Sequence, residues 1–243
     1  MEKHLGGFFM AENAVKIIES RNKKYLEELQ SNIGKYFSFL STMARFHKYE
    51  LADLTNFAIE APAMFTAVAS KELWEHHFKR KINANAKGVT LIHDGKATVY
   101  YDVSETESAI KNPLEVKLWQ YDDSLHKKFL DEVVAGEKST EKQISIIAGE
   151  LAKRSNLDEK FKKFLELNVE TVILERMVFS TERPTRKLTS MSFQEYDVPQ
   201  ILEETQATAK IFLDAMQRAV NQKSAENINL PENNLVLKEI GAI

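Results

Sequence analysis

The chain has 243 residues, 43% hydrophobic and 28% charged, with a formal net charge of −3 and no cysteine. The missing cysteine excludes disulfides, thiolate zinc sites and cysteine nucleophiles together, and the slight acidity excludes a globally basic nucleic-acid binder, so any phosphate contact must come from a local patch. No run approaches the roughly 18 to 20 apolar residues of a membrane span, and the opening MEKHLGGFFMAENAVK lacks a signal-peptide core with a small-residue cleavage site, so the expectation is a cytoplasmic protein with no membrane partner.

Residues 11 to 31 place Ala14, Ile17, Ile18, Tyr25, Leu26 and Leu29 at helical spacing, with charge opposite. Gly34 precedes a second helix through Phe37, Leu40, Met43, Ala44 and His47, and residues 51 to 60 form a third that ends before Pro62. Ser70 is an N-cap for the helix KELWEHHFKRKI. VTLIH and KATVYY then flank Asp94-Gly95, a pair suited to the positive φ angles of a tight hairpin turn. Two strands alone are marginal and need a covering layer.

Helical pattern returns after SETES and KNPLEVKLW. Thr140 and Gln143 have capping-box spacing ahead of Ile144, Ile147, Ala148 and Leu151. Asp158 starts a helix lined by Phe161, Phe164, Leu165, Val169, Val172 and Ile173. FSTERPTRKLTSMSF reads as a basic loop, and a last helix spans about Val198 to Val220. The fold class expected is α+β, mostly helical, with a small antiparallel hairpin or sheet at about residues 88–102 packed on helices. The organisation expected is an α+β region over 1–110, a helical region over 111–225 and a loosely ordered tail over 226–243.

Catalytic and metal chemistry find no foothold in the sequence. His76 and His77 are neighbours about 100° apart on a helix, and Glu72 with His76 lacks a third ligand nearby. There is no nucleophile elbow, and Gly88 and Gly95 flank a strand rather than opening a phosphate-binding helix. The acidic pairs Asp122-Asp123 and Glu203-Glu204 suit solvated helix starts or faces. No catalytic residue, metal or cofactor is therefore expected.

The basic stretch carries more information. Lys79, Arg80, Lys81, Lys87 and Lys96 face a single acid, Asp94, and lead into strands bearing Tyr100 and Tyr101. Cations beside aromatic rings on a sheet suit a single nucleic-acid strand, with charge tracking phosphates and rings stacking bases. The plainer reading is a helix C-terminus whose dipole favours Lys and Arg. Arg183, Arg186 and Lys187 form a second basic cluster beside Pro184, for which an exposed loop is the plainer reading. Trp74 with Phe78, Phe37 with Leu40, and the Phe161 stripe fit a core better than a stacking platform.

From about Phe39 to Ser108 the chain resembles the N-terminal domain of the ArdC/LtrC-like antirestriction proteins of conjugative elements and phages. The resemblance rests on Phe46-His47 with Tyr49, on Asn56 and Pro62, and on Phe65-Thr66-Ala67-Val68. It continues through Trp74 and the basic run from Arg80 to Gly88, closing on Tyr101-Asp102-Val103-Ser104-Glu105-Thr106. NPLEVKLW and LELNVETVILERM look like a continuation of it. The resemblance implies an α+β domain that binds single-stranded DNA non-specifically and shields incoming DNA from host defence. The zinc-protease-like domain that often accompanies it has no counterpart in this sequence. The family's Tyr-Ser-x-x-Asn step is YELAD here, and the approach to Gly88, RKINANAKG, lacks an earlier glycine. A second expectation is therefore an inhibitor that uses acidic helices to bind a host restriction or CRISPR nuclease. A third is a non-enzymatic fragment of a larger conjugation protein.

Overall fold

The computed structural model describes residues 2–61, 65–93, 95–111, 116 and 121–226. Pro62, Asp94, most of NPLEVKLW and all of the expected tail beyond Glu226 lie outside the described residues. The architecture is mostly helical α+β, with a three-stranded antiparallel sheet and a two-stranded one. The chain divides into two compact units, one of Met1–Leu29 with Tyr49–Trp119, the other of Gln30–Lys48 with Gln120–Ile243.

The first unit contains α1 (Glu2–Leu29), α3 (Leu51–Glu60), β1 (Val68–Ser70), α4 (Lys71–His76), β2 (Arg80–Ile82), β3 (Val89–His93), β4 (Lys96–Asp102) and β5 (Thr106–Ser108). Strands run in the order β1-β4-β3, with Val89 opposite Tyr100, Leu91 opposite Thr98 and Ala69 opposite Tyr101. Side chains alternate across a strand, so Val89, Leu91, Thr98, Tyr100 and Asp102 share one face while Thr90, Ile92, Val99 and Tyr101 share the other. Val89, Leu91 and Asp102 are fully buried, and α3 packs on β3 while α1 packs on β4. The Glu60 carboxylate pairs with Arg21 of α1 and accepts the Thr90 N–H at 2.9 Å, tying both helices to the sheet. The hairpin reading holds: Gly95 sits at φ +70° in the turn.

Beyond the hairpin the sheet is larger than expected, because β1, β2 and β5 join it or form its companion. KELWEHHFKRKI is not one helix. Ser70 caps α4 as expected, its Oγ accepting the Leu73 N–H, but the helix stops at His76 and Arg80–Ile82 is a strand paired with Thr106–Ser108. Between them Lys79 takes φ +53° while its carbonyl accepts the Ala109 N–H at 2.9 Å. The basic residues therefore do not end a helix, and the dipole explanation for their charge falls away.

The second unit holds α2 (Ile33–Arg45), α5 (Asp123–Val133), α6 (Thr140–Lys153), α7 (Glu159–Arg176), α8 (Glu182–Thr189) and α9 (Val198–Glu226). Its centre is α7, buried on nearly every side from Phe164 to Leu174, with α2, α6, α8 and α9 packed around it. A central helix is buried on every face, and here the buried set includes Asn168, Glu170 and Thr171 beside the apolar residues. Tyr36, Phe164, Phe193 and Tyr196 close one end, with Phe164 and Tyr196 stacked at 4.4 Å. The N-cap of α6 is Ser139 rather than Thr140: Ser139 Oγ accepts the Lys142 N–H. Gln143 instead uses its buried amide to hold Asp131 at 2.7 Å and the Glu137 carbonyl at 2.8 Å.

Candidate nucleic-acid interface

The corner at the end of β4 is built by the polar run from Asp102 to Thr106. Asp102 is fully buried, and its carboxylate accepts three peptide N–H groups: Thr66 at 2.6 Å, Ala67 at 2.8 Å and Ser104 at 2.9 Å. Glu105, one short 3-10 turn later, accepts Lys87 N–H at 2.9 Å, Gly88 N–H at 3.1 Å and Asp102 N–H at 3.2 Å. These two carboxylates staple the start of β1 and the approach to β3 onto the end of β4. Gly88 completes the staple at φ +63°, where any Cβ would come within 2.5 Å of the Tyr100 carbonyl oxygen. The sequence steps Thr66-Ala67 and Asp102-Ser104, read separately in the resemblance, thus hydrogen-bond to each other.

Other residues of that resemblance also face inward. Trp74 is 1% exposed and donates its indole N–H to the Tyr101 carbonyl at 2.8 Å. Asn56 is buried and accepts from Arg21 at 2.8 Å. Tyr49 packs edge-on against Phe57 and reaches the Val68 carbonyl, and burial pushes its hydroxyl up to about 12. In the second unit, burial and the Arg176 guanidinium hold His47 down to about 4, against the pull of Asp214 at 3.4 Å.

What remains outward is a groove of about 560 Å³ where α4 meets β2. It is lined by Lys71 and Glu75 from α4, by Arg80, Lys81, Ile82 and Asn83, and by Tyr101 of β4. Three residues flagged by the sequence come together here, Arg80 and Lys81 from β2 and Tyr101 from β4. Their contributions differ. Lys81 is exposed, whereas Arg80 gives its Nε–H to Thr106 Oγ1 at 2.6 Å and an Nη–H to the Thr106 carbonyl at 3.0 Å, bracing β2 on β5. Tyr101 is half-buried and on the opposite face of β4 from Tyr100. Tyr100 sits on the buried face near Tyr49, so the two adjacent tyrosines do not form one stacking surface. Lys79, Lys87 and Lys96 are exposed but do not line the groove.

Lys71, Glu75 and Asn83 were not flagged from the sequence. The i,i+4 spacing of Lys71 and Glu75, which ion-pair at 3.8 Å, was the legible signal that both share a helix face.

The second basic cluster is reassigned. Arg183, Arg186 and Lys187 lie on α8, not on a loop. Arg183 is ion-paired with Glu170, a fully buried carboxylate of α7, and Arg186 is paired with Glu182 one turn away. Lys187 is exposed. Among the described residues no group of three or more histidine and carboxylate side chains is placed to hold a metal ion, and no helix is long and apolar enough to cross a membrane. No family model, no curated protein and no solved structure matches the chain.

Proposed function

We propose that this protein binds single-stranded DNA without catalysis, acting in the host cytoplasm as a counter-defence protein of a mobile element. The observation that carries the reading is the α4–β2 groove, where Lys71, Arg80 and Lys81 supply cationic groups beside the ring of Tyr101. Positive charge next to an accessible ring serves a flexible strand whose unstacked bases can turn in, and the local charge offsets the net −3 of the chain. The resemblance of residues 39–108 to antirestriction domains supports the biological role. Lys71 and Lys81 hold phosphates, Tyr101 stacks a base, and Arg80 both braces β2 and adds charge.

Fluorescence anisotropy of a labelled oligonucleotide tests this at two salt concentrations, single strand against duplex. Two lysine–phosphate contacts, with Arg80 adding charge, give a log–log salt slope of about −1.5 to −2 on a single strand. Lys81→Glu should weaken binding and flatten that slope, and Tyr101→Ala should cost about 1–3 kcal/mol with the slope unchanged. Absence of binding at low salt, or wild-type affinity in both variants, overturns the proposal.

A further inference from the structure

The groove offers hydrogen-bonding groups as well as charge. In the β2–β5 ladder the Asn83 N–H reaches the Glu105 carbonyl at 2.8 Å and the Ala109 N–H reaches the Lys79 carbonyl at 2.9 Å. With Arg80 opposite Ser108 and Ile82 opposite Thr106, the ladder bonds fall at Lys79, Lys81 and Asn83. The peptide groups of Arg80 and Ile82 therefore turn away from β5, and among the described residues no strand pairs with that edge. This unpaired edge belongs to the same residues that line the groove. The volume, about 560 Å³, falls within the range of sites that take a small planar ligand.

Among the described residues Glu75 is the one acidic side chain in this cationic lining. Its partner Lys71 is 3.8 Å away, and the two side chains are 38% and 58% exposed, an ion pair too long and too solvated to compete with a well-placed pair of donors. A carboxylate that only repelled phosphates would weaken the site, so its place in the same groove as Tyr101 and Asn83 calls for a ligand that donates.

Resting on the single-strand reading above, we infer that the groove reads base edges and prefers guanine. Guanine alone presents two parallel donors, N1–H and the 2-amino group, to the two oxygens of one carboxylate. Adenine and cytosine set a ring acceptor beside their amino group, and thymine flanks its single N–H with two carbonyl oxygens, so each turns a lone pair toward Glu75. Unstacked bases in single strands are read on this edge. The ring of Tyr101 supplies the stacking surface, and the unpaired edge of β2 and the Asn83 amide meet the remaining polar atoms.

The test is anisotropy with a short oligothymidylate, the same strand with one central guanosine, and the same strand with inosine there, which keeps N1–H and lacks the 2-amino group. Wild-type protein should bind the guanosine strand about tenfold more tightly than oligothymidylate, within the span of one bidentate base contact. Inosine should lose most of that preference, and Glu75→Gln should abolish it while raising affinity for oligothymidylate slightly through lost repulsion. Equal binding of all three strands, or a guanosine preference that survives Glu75→Gln, overturns the guanine inference and leaves the single-strand reading standing. If none of the strands binds, both fall.

Discussion

Asp102→Asn keeps the shape of a buried side chain and removes its charge, which separates a structural role for the Asp102–Thr106 run from a binding one. The wild-type carboxylate accepts two N–H groups at Oδ2 and one at Oδ1. Asparagine offers a single carbonyl oxygen. Placed at the Oδ2 position it keeps the bonds from Thr66 and Ala67 as neutral ones, and its amide then confronts the Ser104 N–H donor to donor. Bonds to charged groups contribute about 1.5–3 kcal/mol against about 0.5–1.5 for neutral ones, and a buried donor left unpaired costs about 1–3 kcal/mol. The easier burial of a neutral amide offsets part of this, leaving a net loss of about 2–3 kcal/mol. Over a unit of this size that lowers the melting midpoint by on the order of 10 °C, read by circular dichroism. Oligonucleotide affinity, measured where both proteins are folded, should be unchanged. A melting point within a degree or two of wild type would refute the staple. Normal stability with lost affinity would move Asp102 into the binding surface.

Two further outcomes follow from buried charge in the second unit. Arg183→Met strands the Glu170 carboxylate inside α7 and should destabilise by about 3–5 kcal/mol in urea titration while leaving oligonucleotide affinity intact; a stable variant with weakened binding would restore Arg183 to the interface. His47 is held at about 4 when folded, below its ordinary 6.5, so the unfolded chain takes up a proton first as pH falls. The stability His47 contributes is thus complete above about pH 6.5 and is lost as pH drops toward 4, to a total of about 3 kcal/mol. His47→Gln should flatten melting temperature against pH across that window, and parallel curves for the two proteins would refute the assignment.

The hairpin was legible because its information is local: β-branched strands and a turn residue that tolerates positive φ lie within a few positions of each other. The Ser70 cap, the stripes of α2 and α7 and the spans of α3 and α9 were legible for the same reason. The β2–β5 pair was not. Only Thr106 of Thr-Glu-Ser favours a strand, and Arg80–Ile82 continues a helical-looking run, so it is pairing across 26 positions, Lys81 with Glu107, that makes each a strand. Helix α8 was hidden by Pro184, which reads as a helix breaker. Its first i→i−4 bond runs from the Thr185 N–H to the Thr181 carbonyl, so Pro184, at the third helical position, has no bond to lose. The groove was half legible: the sequence marked Arg80, Lys81 and Tyr101, but the wall contributed by Lys71 and Glu75 depends on where α4 stops.

Counting cations in a sequence treats every lysine and arginine as available to a ligand, and this fold shows why the two are unequal. A guanidinium presents several donors in a fixed fork and is readily recruited to brace structure: Arg21 holds Glu60, Arg80 holds Thr106 and Arg183 holds Glu170. Several lysines are ion-paired as well, among them Lys127, Lys153, Lys162 and Lys163, but Lys81 is exposed, and its flexible stem lets the ammonium follow a phosphate that moves. In this chain Arg80 and Arg183 are engaged internally, and the charge open to a strand at the groove comes mainly from Lys81 and from Lys71, whose hold on Glu75 is weak. A site assembled this way binds modestly through cationic charge, and selectivity must come from the rest of the lining. That is the part the groove supplies in Glu75, Tyr101, Asn83 and the unpaired edge of β2.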